Sequence, residues 1–206
     1  MKMRISVSEA GKRFNRDWIF RNFSYQFEAP HSYAITGPNG SGKSTLLQVL
    51  SGSMQLSSGN ISWNNRVNLD EGIVFNSMAI AAPYLEVVEE MTAVEFLRFH
   101  ASFKPLLPQI SPGEILSIVG LEKAAHKQIR YYSSGMKQRI KLAQAIFSDV
   151  PVLLLDEPCT NFDNSGYELY YQLISTYCKE RLVIVSSNDE KEFSFCKERI
   201  VISDYK

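Results

Sequence analysis

GPNGSGKST, Gly37 to Thr45, is the stretch from which the rest of the chain is read. It fits the spacing GxxxxGK[ST], with Gly37, Gly42, Lys43 and Ser44 at the fixed places. A loop of this kind needs glycine wherever its backbone turns tightly or lets an anion's oxygens reach the amides, because a side chain there blocks both. Gly37, Gly40 and Gly42 fill those places, and Pro38, Asn39, Ser41 and Thr45 complete the loop. Lys43 offers a point charge to β- and γ-phosphates and Ser44 a hydroxyl to Mg²⁺, while a helix beginning near Lys43 turns its free N–H groups toward the anion. The loop therefore implies a site for a nucleoside triphosphate with magnesium. The plain alternative is a Gly/Ser turn between a strand and a helix. Against it stand the flanks: YAIT (Tyr33 to Thr36) has the pattern of a buried strand, and Leu46, Leu47, Val49 and Leu50 share one helix face.

Upstream of the loop, RISVSEA and WIFRNFSYQFEA alternate polar and apolar residues, with Phe23, Tyr25 and Phe27 on one side. That period of two predicts an antiparallel sheet ahead of the loop, with Phe14 in the turn GKRFNRD between its strands. Downstream, QLSSGN marks a turn, NISWNNRVN resumes the antiparallel sheet, and GIVF and MAIAA have the character of short buried strands ending at Pro83. From Glu86 to about Phe147 the apolar spacing becomes helical in TAVEFLRFHASF, PGEILSIVGL and SGMKQRIKLAQAIF, interrupted by KPLLPQISP and QIRYYSS.

VPVLLLDEP, Val150 to Pro158, is a β-rich apolar run that ends in two carboxylates. In a parallel sheet ligands bind beyond the carboxyl ends of strands, which is where Asp156 and Glu157 fall. An acidic pair after a strand can be no more than a helix-capping cluster; given a phosphate loop upstream, Asp156 is instead expected to hold the magnesium shell and Glu157 to orient and activate the attacking water. A helix (GYELYYQLISTYCKE), a buried strand (LVIVSS), a short helix (DEKEFSFC) and an edge strand (RIVIS) close the chain. The alternation predicts an α/β fold: a phosphate-loop NTPase core with a mainly parallel sheet, an N-terminal antiparallel β subdomain and an inserted helical subdomain. All of residues 1–206 form one domain on this reading, with the β subdomain at about 1–30 and 59–70 and the helical one at about 86–147.

The chain's 206 residues suffice for its own core. Lys plus Arg and Asp plus Glu number 22 each, so zero net charge and the lack of like-charge runs argue against a nucleic-acid groove or a polybasic membrane patch. The start, MKMRISVSEAGKRF, lacks the apolar core of a secretory signal, and the apolar runs near VPVLLL and LVIV fall far short of the ~20 residues that span a bilayer. A soluble chain is expected. Cys159, Cys178 and Cys196 are odd in number and without metal-ligand spacing, as suits buried thiols in a reducing compartment.

Together these motifs resemble the ATP-binding cassette ATPase family over almost the full length and in the family's order. Between the phosphate loop and VLLLDEP lies YSSGMKQR, which is similar to the family signature LSGGQxQR, with Tyr132, Ser133, Ser134, Gly135 and Met136 at the LSGGQ positions. This third motif carries the specificity, since many phosphate-loop proteins have the other two. The resemblance implies that ATP is the nucleotide and that Ser133, Ser134 and Gly135, at a helix N-terminus, meet the phosphate of an ATP held by the opposite subunit. It also implies a head-to-tail homodimer or heterodimer that sandwiches two ATP molecules, with TNFD (Thr160 to Asp163) crossing the interface and Phe14 stacked on adenine. For Phe14 a half-buried turn aromatic is the competing reading.

Two family positions differ. The glutamine that links the magnesium site to the helical subdomain is missing from AAPYLEV, where Tyr84 or Ala82 takes its place. The histidine after the last core strand is replaced by Asn188, a register fixed by Asp189 and Glu192. Asn188 either reaches the γ-phosphate, slowing turnover because an amide cannot become cationic, or caps the helix expected to begin at Asp189. The leading function is the ATPase subunit of a transporter, acting on separate multispan membrane permease subunits from the cytoplasmic face of the membrane, with no nucleic acid involved. Its compactness resembles the small stand-alone cassettes of bacterial exporters, including those of the haem and cytochrome c maturation type. A soluble cassette that remodels a protein or nucleic-acid complex is the alternative from another class, and a slow-turnover regulatory subunit is a third. The aromatic and apolar residues Tyr84, Leu85, Val87 and Val88 are either core packing or a docking surface for the membrane partner.

Overall fold

A computed structural model describes residues 3–65, 67–69 and 73–206. In chain order the elements are β1 (Arg4–Phe14), β2 (Asp17–Glu28), β3 (Ser32–Thr36), α1 (Lys43–Leu50), β4 (Ser58–Asn65), β5 (Val67–Leu69), β6 (Met78–Ala81), α2 (Ala93–Phe103), α3 (Pro112–Ile118), α4 (Ser134–Ile146), β7 (Val152–Asp156), α5 (Asn164–Tyr177), β8 (Leu182–Ser186), α6 (Glu190–Phe193) and β9 (Glu198–Val201). The chain forms two units: one of Met1–Met78, Val150–Glu157 and Glu180–Lys206, and one of Ala79–Asp149 and Pro158–Lys179.

The first unit holds an antiparallel sheet in the order β2-β1-β4-β5, as the alternation predicts. Its register aligns Phe27, Ile5 and Trp63 across three strands, and all three are buried. Burying such a side chain contributes roughly 1.5–3 kcal/mol, so this row anchors the hairpin. Trp63 also satisfies its indole, donating Nε1–H to the Leu50 carbonyl at the end of α1 at 2.8 Å. The parallel strands lie in the order β7-β8-β3-β9. β7 (VLLLD) and β8 (LVIVS) are buried at every position, which is why they read as unbroken apolar runs with no alternation. α1 packs against both through the apolar face that includes Leu46, Leu47 and Leu50.

In the second unit, helix starts are written in side chains. Thr92 with Glu95 and Ser111 with Glu114 form reciprocal capping boxes at α2 and α3, Pro112 opens α3, and Ser133 and Asp163 cap α4 and α5. Leu97, Leu116, Ile140, Leu142 and Leu173 are fully buried and form part of this unit's core. Among the described residues no helix is long and apolar enough to cross a membrane.

Three local expectations change. GIVF is not a strand: Val74–Ser77 is a turn of 3₁₀ helix, with Ile73 and Phe75 exposed. The apolar run there is short, and Asn76 and Ser77 follow it, residues that favour local turns over a ladder. Gly72 of that stretch, Arg66 of the NISWNNRVN strand, and the 70 that bounds the β subdomain lie outside the described residues. Phe14 closes β1, paired with Asp17, and so ends the strand instead of sitting in the turn. The first helix after Glu86 begins only at Ala93, because the Thr92 cap fixes its start there. No disulfide forms among the described residues: Cys159 and Cys178 are buried, and Cys196 is half-buried with its thiol pushed up to about 12 by burial.

Candidate functional site

The parallel register brings several chain crossings to one end of the first unit's sheet. Ile35 of β3 aligns with Ser186 of β8, which aligns with Asp156 of β7. The phosphate loop, the Asp156–Glu157 pair and the Ser187–Asn188 turn therefore leave the sheet together, although they are far apart in sequence.

Within the loop, Gly37, Gly40 and Gly42 have φ of 148°, 75° and 106°. A Cβ on Gly42 would lie 2.5 Å from Cγ2 of Ile19, and one on Gly37 would lie 2.8 Å from Oγ of Ser41, so both places require glycine on steric grounds as well. Gly42 precedes the first residue of α1, whose helix start is Lys43. The Lys43 side chain is buried and folds back, donating from Nζ to the carbonyls of Gly37 at 2.8 Å and Pro38 at 3.4 Å. These partners are neutral carbonyls, which hold the ammonium in place without taking its proton. A cleft of about 350 Å³ opens there, lined by Ile19, Asn39, Gly40, Gly42, Lys43, Ser44, Thr45 and Glu157. That volume is in the range of small-molecule sites.

Asp156 ends β7 and is only 3% exposed. A buried carboxylate and the Ser44 hydroxyl are hard oxygen donors of the kind Mg²⁺ takes, so the donor set fits that ion. Glu157 is half-buried, and its backbone adopts φ 44°, a left-handed conformation uncommon for a non-glycine residue. Its amide donates to the Ser186 carbonyl at 2.9 Å, which holds this turn against β8. Asn188 brackets the loop: its Oδ1 accepts the Gly37 N–H at 3.3 Å and its Nδ2 donates to Oδ1 of Asn39 at 3.1 Å. It does not cap the next helix. Asp189 does, accepting the Lys191 N–H at 3.0 Å, and the helix begins at Glu190.

Phe14 is exposed, with the Lys12 ammonium 5.2 Å from its ring centroid, and it is not among the residues lining the cleft. From the same hairpin it is Ile19 that lines it. Nothing in its surroundings singles out Ile19, one apolar residue in an alternating strand.

The second unit carries its own cleft of about 490 Å³, and Ser133, Ser134 and Gly135 line it. Ser133 Oγ accepts the Met136 N–H at 3.3 Å and so caps the first turn of α4. Arg139, Asn161, Phe162 and Asp163 also line this cleft. Arg139 donates to the Val119 carbonyl at 3.0 Å and lies 6.0 Å from the Phe162 ring centroid. Asp163 is held below the usual carboxylate range by hydrogen bonds from the Ser165 hydroxyl and the Gly166 amide. TNFD thus meets the signature segment within one unit. Arg139 could have been picked out as the terminal Arg of YSSGMKQR.

Comparison with known proteins places this geometry in context. The ABC transporter family profile matches residues 20–160. An uncharacterized ABC transporter ATP-binding protein of Bacillus subtilis, YxlF, is 34% identical over 187 residues, which cover 89% of this chain and 62% of that protein. The cytochrome c biogenesis ATP-binding export protein CcmA of Xylella fastidiosa is 34% identical over 143 residues, 69% of this chain and 66% of its own. The chain therefore spans slightly less than two thirds of either relative. In fold it is similar to the bacterial ABC transporter cassette MJ0796, solved as a dimer, with a TM-score of 0.80 at 19% identity over 97% of this chain and 95% of that one.

Proposed function

Because the chain belongs to the ABC transporter family, we propose that it is an ATP-binding and ATP-hydrolysing subunit that energises transport through separate membrane subunits. The observation that carries the proposal is the convergence, within one unit, of the Lys43 loop, the Asp156–Glu157 pair and Asn188 at one sheet end. Lys43, the loop from Gly37 to Thr45 and the amides opening α1 bind the triphosphate; Ser44 and Asp156 hold magnesium. The metal, when bound, screens the phosphate charge and polarises the phosphoryl group. Glu157 takes the proton of a water whose oxygen bonds to the γ-phosphorus as the bond to the bridging oxygen breaks, leaving ADP and phosphate. Phe14 offers an open ring face to adenine. Ser133, Ser134 and Gly135 present the start of α4 to the nucleotide of a second subunit in a head-to-tail dimer.

Tyr84, Leu85 and Val88 are 45%, 40% and 37% exposed, while Val87 packs inside at 7%, so an apolar surface remains for the membrane partner. The protein then sits on the inner face of the membrane through that partner. The test is twofold. Purified protein should release phosphate from Mg-ATP and stop on addition of EDTA, and tagged protein drawn from detergent-solubilised membranes should bring a multispan membrane protein with it. No phosphate release by either the free or the copurified form would overturn the assignment.

Turnover is set low by Asn188, whose amide donates a hydrogen bond but carries no charge to the transition state. Asn188→His is expected to raise kcat on the order of 10-fold, part of the ~10²-fold that one transition-state donor is worth, with ATP affinity unchanged within a few-fold. Steady-state ATPase assays paired with thermal melts check this. Unchanged or lower kcat in a well-folded variant leaves Asn188 as a bracket for Gly37 and Asn39 alone.

A further inference from the structure

Ser186 closes β8 at the sheet end where the site lies, and its side chain is fully buried. Its hydroxyl has no hydrogen-bond partner. A buried hydroxyl left unsatisfied is unfavourable, and native structures seldom keep one without a use. The neighbouring Ser187 is a contrast, since its Oγ accepts the Asp189 N–H at 2.9 Å and serves the local turn.

The register says what Ser186 faces. It aligns with Asp156 on one side and with Ile35 on the other, and side chains aligned across parallel strands point to the same face of the sheet. Ile35 offers no polar atom, so the carboxylate of Asp156 is the polar side chain beside it in this row. The Ser186 carbonyl is already engaged by the Glu157 amide, which ties the same residue to both carboxylates of the pair.

We propose that Ser186 is a positioning residue for Asp156: its hydroxyl donates to one carboxylate oxygen and aims the other at bound magnesium. This rests on the ATPase reading of the site. A serine side chain turns between staggered wells at little cost, so the orphaned hydroxyl reaches this bond by rotation about χ1. Partners of this kind fix ligating carboxylates, and their loss typically weakens metal affinity ~10–100-fold.

The experiment compares wild type with Ser186→Ala, Ser186→Thr and Ser186→Val, the last two matched in shape and differing in the hydroxyl. Three quantities are read: the melting temperature without ligand, ATP affinity in EDTA, and the Mg²⁺ concentration giving half of the ATP-dependent gain in melting temperature. For Ser186→Ala the ligand-free protein should melt at or above wild type and bind ATP normally in EDTA. Its half-effect Mg²⁺ concentration should rise about 10-fold or more. Ser186→Thr should stay close to wild type and Ser186→Val should follow alanine. An unshifted Mg²⁺ midpoint in Ser186→Ala, or equal shifts for threonine and valine, would overturn the proposal. A wild-type protein with no Mg²⁺-dependent gain at all would instead overturn the ATPase reading, and this inference with it.

Discussion

Lys43→Ala is expected to leave a folded protein that no longer binds ATP at concentrations that saturate the wild type. The ammonium is the strong cation that the loop carries, and the structure holds it ready on the Gly37 and Pro38 carbonyls. Hydrogen bonds to charged groups contribute about 1.5–3 kcal/mol each, so losing contacts to two phosphates weakens binding by ~10²-fold or more. The fold should survive, because the buried apolar side chains of β3, β7, β8 and α1 are untouched and the Lys43 ammonium bonds to carbonyls of its own loop, Gly37 and Pro38. Isothermal titration with Mg-ATP, alongside a circular dichroism melt, measures both halves. Undiminished affinity in a folded Lys43→Ala protein would sink the assignment of the loop.

Glu157→Gln should separate binding from hydrolysis. The amide keeps the shape of the side chain and one hydrogen-bonding oxygen but cannot accept the proton of the attacking water, so phosphate release should fall by about 10²–10⁴-fold, the worth of a general base. ATP affinity should persist, since the loop and Lys43 are untouched. A dimer that forms on ATP and dissolves on hydrolysis then has no exit, and size-exclusion chromatography with ATP should show it accumulating. Only monomer at high protein concentration would count against a self-sufficient homodimer, leaving a heterodimer or a requirement for the membrane subunits.

What the residues disclosed in advance follows a physical division. The phosphate loop was legible because nine consecutive residues must satisfy one backbone geometry, and glycines at Gly37, Gly40 and Gly42 leave little freedom in reading it. β7 and β8 were legible for a related reason: burial on both faces writes itself as an unbroken apolar run. GIVF shows the limit of the same rule. A short apolar run followed by Asn76 and Ser77 satisfies a local turn as readily as a ladder, and only tertiary context chooses.

Contacts set by register or by the tips of long side chains were not legible. Nothing near Ile19 announces that it blocks a side chain at Gly42, and nothing near Ser186 announces Asp156 as its neighbour. Asn188 lies between these cases. The family pattern gave its position, and Asp189 explains why it is not a cap, but its grip on Gly37 and Asn39 needed the folded loop.

The left-handed backbone at Glu157 also bears on how this protein would respond to engineering. A non-glycine residue held in such a conformation costs about 1–3 kcal/mol, whereas glycine enters it freely and gives up only roughly 0.5–1 kcal/mol in chain entropy. On the proposed role of Glu157 as the base, stability and turnover are opposed at a single residue. A screen that rewarded heat resistance alone would favour Glu157→Gly and return a protein that melts later and hydrolyses far more slowly, so any thermostabilised version has to hold this position fixed and seek its gains elsewhere.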